Sequence, residues 1–133
     1  MTPNLKIHHI GCVVGSIEEA IHTYKNTLGF KNVSNVTYVS SQKVNVCFVN
    51  IGNDTFIELI EPLDDKSAIA RLLKKGNSYY HLGYWVDNFT ETLNNLVEKG
   101  ARVITEFNSE AFNNKKCAFL YTEEMHMIEL IES

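Results

Sequence analysis

The sequence predicts an α+β fold built from two βαβββ modules whose curved, mixed sheets are paired and face each other. The first observation behind this is an internal repeat. The segment that begins at His9, HIGCVVGSIEEAIHTYKNTLG, returns at His81 as HLGYWVDNFTETLNNLVEKG, with His9, Gly11, Val14 and Glu19 matching His81, Gly83, Val86 and Glu91 at an offset of 72. The second observation is that FVNIGNDTFIELIE (48–61) and FLYTEEMHMIELIE (119–132) align without a gap at an offset of 71 and share the closing IELIE. A one-residue change of offset is what a duplicated unit with loop drift produces.

Each element has a local reason. Residues 6–14 alternate and are rich in β-branched side chains, so they read as a strand. Ser16 with Glu19 forms a capping box that opens a helix, and Ile17, Ala20, Ile21, Tyr24 and Leu28 follow at helical spacing up to Gly29, a left-handed C-cap position. Strands are predicted over about 33–40, 43–50 and 55–62, which closes module one at about 6–62. DDKSAIARLLKKG then reads as a linking helix over about 65–76, ended by Gly76.

Module two, about 79–132, repeats the pattern. Its first strand carries His81, and Asn88 with Glu91 restates the capping box. Phe89, Leu93, Leu96 and Val97 form the apolar stripe before Gly100, and strands follow over about 101–106, 115–121 and 126–132. No low-complexity segment separates the halves, so residues 1–133 are expected to fold as one domain.

Composition narrows the function class. The net charge is −4 and no Lys/Arg run exceeds a pair (Lys74–Lys75, Lys115–Lys116), which argues against nucleic acid. No apolar run approaches the roughly 18 residues of a membrane span, and MTPNLKIHHIG does not have the pattern of a signal peptide. Cys12, Cys47 and Cys117 lie in apolar stretches without CxxC spacing and read as core thiols of a reducing compartment. The cytoplasm is the expected location.

Chemistry enters through strand alternation. Phe56, Glu58 and Ile60 share one face, as do Met127, Glu129 and Ile131, so each IELIE directs one carboxylate among apolar neighbours. Such a group is costly unless paired or bound to metal. His9 and Glu58 are 49 residues apart, and His81 and Glu129 are 48 apart. Two modules related by a pseudo-twofold axis would bring all four together, a donor set suited to one divalent transition metal. Taken singly, a strand histidine beside a glycine is more often a core residue, and a glutamate near a strand end is usually solvated. The repeat weighs against four such coincidences, and the residues alone leave both readings standing.

HHIGCVVGSIEEAIHTYKNTLGF, YYHLGYWVDNFTETLNNLVEKGA and the terminal MIELIE resemble the vicinal oxygen chelate superfamily over essentially the whole chain. That superfamily includes glyoxalase I (lactoylglutathione lyase), methylmalonyl-CoA epimerase, extradiol dioxygenases and antibiotic-resistance proteins. The resemblance implies the glyoxalase/bleomycin-resistance-type fold, with His9, Glu58, His81 and Glu129 as ligands to one divalent ion per chain (Zn, Ni, Co or Mn). It further implies a lyase or isomerase that moves a proton next to a carbonyl, with the metal as Lewis acid and Glu129 and Glu58 as the proton-transferring carboxylates. The implied substrate is a thiohemiacetal or an acyl-CoA thioester, and a homodimer is expected on the same analogy.

The segment IELIEPLDDKSAIARLLKKG (57–76) most resembles the epimerase branch. Three features depart from it, one being that NSEAFNNKKCAF (108–119) stands in place of a Gly-rich, Lys-containing approach to the seventh strand. The epimerase's additional carboxylate on the third strand has no equivalent between Lys31 and Asn53, where Asn45 sits near the place, and TEEMH (122–126) replaces a common Pro-Asp-Gly turn. Two rivals follow from the resemblance: a protein that sequesters an antibiotic or metabolite without turnover, and an extradiol dioxygenase. Retention of all four ligand positions weighs against the first, and a fourth ligand weighs against the iron site of the second. His8 and His22 are expected at the surface, Glu61 and Glu132 in solvent, and Tyr79, Tyr80, Tyr84 and Trp85 in the core or an interface.

Overall fold

The computed structural model describes residues 4–133. Its order is β1 (Leu5–Val13), α1 (Ile17–His22), β2 (Thr37–Val39), β3 (Val44–Gly52), β4 (Thr55–Pro62), α2 (Ala68–Lys74), β5 (Tyr79–Val86), α3 (Phe89–Glu98), β6 (Arg102–Ser109), β7 (Lys115–Tyr121) and β8 (Met127–Glu132). In each half the outer strands run antiparallel and the first strand lies parallel to the last: β1 beside β4, and β5 beside β8. The halves are not separate sheets. Antiparallel pairing of β1 with β5 joins them edge to edge into one curled eight-stranded sheet, β2-β3-β4-β1-β5-β8-β7-β6.

Alternation gives the sheet two faces. Cys12, Cys47, Val49, Ile57 and Leu59 pack beneath α1 through Ile17, while Val86, Ala118, Leu120 and Leu130 pack beneath α3 through Phe89 and Leu93. The concave face carries Val39, Val44, Val46 and Ile60 at one end, and Phe112, Cys117 and Ile131 at the other. All three cysteines are free and buried, and among the described residues no helix is long and apolar enough to cross a membrane.

Some elements differ from expectation for local reasons. The Ser16 hydroxyl accepts from Glu19 N–H as predicted, but Asn88 makes no side-chain cap bond. The first helix widens into a π turn over Thr23–Thr27, which tips Leu28 out of the apolar stripe to 56% exposure. Strand β2 is short, and Val33 meets Val49 only through an isolated bridge. Strand β6 continues to Ser109 because its pairing with β7 persists through Ser109–Lys115. Glu61 is half-buried rather than solvated: its carboxylate accepts from Ile17 N–H and from the Asn45 amide, completing the start of α1.

Candidate metal centre

The two His-x-Gly motifs explain how the halves meet. His9 and Gly11 point to one face of β1, as His81 and Gly83 do on β5, and the antiparallel register sets His9 opposite Gly83 and Gly11 opposite His81. Each imidazole lies over the other strand's glycine, where a Cβ would overlap the ring. The parallel pairings then align Gly11 with Glu58 and Gly83 with Glu129. Cross-strand registers alone therefore collect two histidines and two glutamates at the seam of the sheet.

The four side chains are buried, with His9 0%, Glu58 5%, His81 4% and Glu129 3% exposed. The Nε2 atoms of His9 and His81 lie 2.9 Å apart. Glu58 Oε1 is 3.2 Å from His9 Nε2 and 3.4 Å from His81 Nε2; Glu129 Oε1 is 3.1 and 3.4 Å from the same atoms. All four donor atoms come from one chain and lie within 4.8 Å of one another. Metal–ligand bonds of about 2.0–2.2 Å set neighbouring donors roughly 3 Å apart, so the spacing and chemistry fit a single metal site.

Electrostatics point the same way. Burial works against the charge on His9, but the Glu58 charge and hydrogen bonds to Glu129 and Glu58 override it and raise the imidazole to about 10. His81 is raised against the same burial cost by its hydrogen bonds to Glu129 and Glu58. Burial works to raise both carboxyls, yet the histidines hold Glu58 and Glu129 below the usual carboxylate range. Without metal, protons held on the raised imidazoles offset carboxylate charge. A divalent ion must displace them, so binding strengthens as pH rises toward the His9 value of about 10.

Two residues turned onto this face were not expected there. The β1–β5 register slips between Ile7 and His9 and again between Gly11 and Cys12, so His8 on β1 and Tyr80 on β5 are each an extra residue opposite the partner strand. They are 72 residues apart, the spacing of the histidines they precede. His8 is half-buried rather than at the surface, and burial, then the neighbouring His9 charge, lowers it to about 4. Tyr80 lines a cavity of about 20 Å³, room for about one water, whose walls include Glu58, Glu129, Val46, Ile60 and Phe119. Burial and then the two carboxylates push its hydroxyl well above the usual range, so it keeps its proton.

Asn45 does not face the site. It pairs across β3–β4 with Glu61 on the helix-covered face, while Val44 and Val46 line the cavity and Phe48 lies opposite Glu58. His22 is exposed, as expected, and His126 is exposed as well. A 3-10 turn, Glu110–Phe112, crosses the concave face: Phe112 stacks on His9 at 5.9 Å, and Glu110 accepts from the Ser40 hydroxyl at 2.6 Å, linking the two edges of the sheet.

Comparison with known proteins agrees with this fold. The uncharacterized protein YqjC of Bacillus subtilis is 35% identical over 96% of this chain and 91% of its own length. The mitochondrial methylmalonyl-CoA epimerase of Bos taurus is 33% identical over 90% of this chain and 68% of its own. The crystal structure of methylmalonyl-CoA epimerase from Mycobacterium tuberculosis superposes with a TM-score of 0.85 at 24% identity, covering 99% of this chain and 91% of that one. The family described as the glyoxalase/bleomycin resistance protein/dioxygenase superfamily matches residues 8–121. The chain belongs to that superfamily.

Proposed function

We propose that this protein is a divalent-metal-dependent isomerase or lyase that moves a proton at the carbon next to a carbonyl, with an acyl-CoA thioester or a thiohemiacetal as substrate. The observation that carries the reading is the buried convergence of His9, Glu58, His81 and Glu129 within one chain. Those four residues would hold the ion, drawn from Zn, Ni, Co or Mn. A bound cation supplies positive charge to the carbonyl oxygen as the neighbouring C–H is lost. The homodimer expected by analogy is not needed to complete the donor set. In this reading residues about 6–62 and 79–132 are two modules of one domain, and the three buried free thiols support a reducing, cytoplasmic setting.

One observation favours a thioester, and one departs from the epimerase's scheme with a third-strand base. The 33% identity to an acyl-CoA epimerase favours a thioester. The apolar concave row Val44, Val46 and Phe48 leaves no third-strand base, so proton removal and return both fall to Glu129 and Glu58, which share one cavity wall. An acyl-CoA thioester handled by the pair of ligand carboxylates satisfies both.

Deuterium exchange tests the proposal. Metal-loaded protein in D₂O should place deuterium at the α-carbon of a methyl-branched acyl-CoA thioester, read by mass spectrometry, and a chelator should abolish the exchange. Absence of exchange with every thioester and thiohemiacetal offered, at full metal occupancy, would leave a binding protein of the same fold.

A further inference from the structure

We infer that His8 is a positioning residue for the metal centre, accepting the Nδ1–H of His9 and so presenting the His9 Nε2 lone pair to the ion. The inference rests on the metal reading above and extends it to a residue outside the four donors. His8 Nδ1 lies 2.9 Å from His9 Nδ1. Two ring nitrogens at that distance share one proton, so one donates and the other accepts. When His9 Nε2 is a ligand its proton resides on Nδ1, which makes His9 the donor and leaves the His8 proton on Nε2. Ligating histidines generally need such a partner to fix tautomer and ring orientation.

His8 is held for this task by its surroundings. The slip in β1 turns it onto the concave face beside His9. Its ring meets Phe56 and Trp85 at 4.9 Å and Phe48 and Phe112 at 5.4 Å, and stands nearly perpendicular to His9 at 5.2 Å. The second half of the molecule provides the contrast. Its equivalent residue, Tyr80, packs edge-on against His81 at 4.4 Å, and His81 Nδ1 is buried without a hydrogen-bond partner. The two imidazoles are thus inequivalent at Nδ1: that of His9 has a hydrogen-bond partner, and that of His81 has packing alone.

The test compares three variants with the wild type. His8→Phe and His8→Leu keep an apolar side chain in the cage and remove the acceptor, whereas His8→Asn restores an acceptor oxygen near the Nδ1 position. Zinc and nickel dissociation constants are measured by competition with a chromophoric chelator, beside the Tm of each metal-free protein. His8→Phe and His8→Leu should bind both ions about 10–100-fold more weakly while their metal-free Tm stays at or above the wild-type value, and His8→Asn should recover most of the affinity. Wild-type affinity in either apolar variant would overturn the inference. So would a loss in His8→Asn equal to that in His8→Phe. A wild-type protein that takes up neither ion would instead overturn the metal reading itself, and the inference with it.

Discussion

Glu129→Gln should retain the metal and lose about 10²–10⁴-fold in α-proton exchange, the usual contribution of a positioned general base. An amide oxygen still coordinates, so the substitution separates ligation from proton transfer. The Glu129 carboxylate is 3% exposed, aligned with Gly83 on β5, and lines the cavity beside the donor atoms. Glu58 shares that wall from the other half of the sheet. Its change to Gln should be milder, because Glu129 still exchanges the proton from its own side and the Gln oxygen keeps the ligand role of Glu58. The readout is the rate of deuterium incorporation beside metal content for each variant. Equal rates for wild type and Glu129→Gln at equal occupancy would remove Glu129 as the base.

Gly83→Ala and Gly11→Ala should each destabilise the protein and weaken metal binding, although neither residue touches the ion. A Cβ at Gly83 would overlap the His9 ring, and one at Gly11 would overlap His81. Neither ring can retreat easily, since each is buried at the β1–β5 seam. Overpacking of this kind costs about 1–3 kcal/mol, which lowers the Tm by roughly 3–15 °C in a domain of this size. Gly15→Ala is the control: its Cβ would meet only Leu73 at 3.9 Å, and it should be nearly neutral. Calorimetry with and without metal reads both effects. A Gly83→Ala protein as stable and as metal-competent as Gly15→Ala would show that the ring-over-glycine contact does not position the centre.

Much of this arrangement was legible in the sequence because the repeat is a statement about space. Equal His-to-Glu intervals, with alternation placing Glu58 and Glu129 among apolar neighbours, were enough to group four residues from four strands. What stayed hidden depends on register. A bulge inserts one residue and reverses the facing of its neighbour, so alternation sent His8 outward while the structure turns it beside His9. The equal spacing of His8 and Tyr80 before His9 and His81 was the available signal. Register also decides Asn45, which sits in the sequence near the place of the epimerase's third-strand carboxylate: the β3–β4 pairing sets it beside Glu61 on the far face. The edge-to-edge union of the two sheets was hidden as well, since nothing in either half specifies whether it pairs at its edge or across its face.

One chain should hold one complete metal centre, and metal stoichiometry checks this. Protein loaded with zinc or nickel at pH 8, where proton competition is weaker than at pH 6, should carry one ion per chain by elemental analysis after removal of excess metal. His9→Ala, which removes the donor 3.1–3.2 Å from both carboxylates, should carry far less. Substoichiometric metal that persists unchanged in His9→Ala would contradict the account.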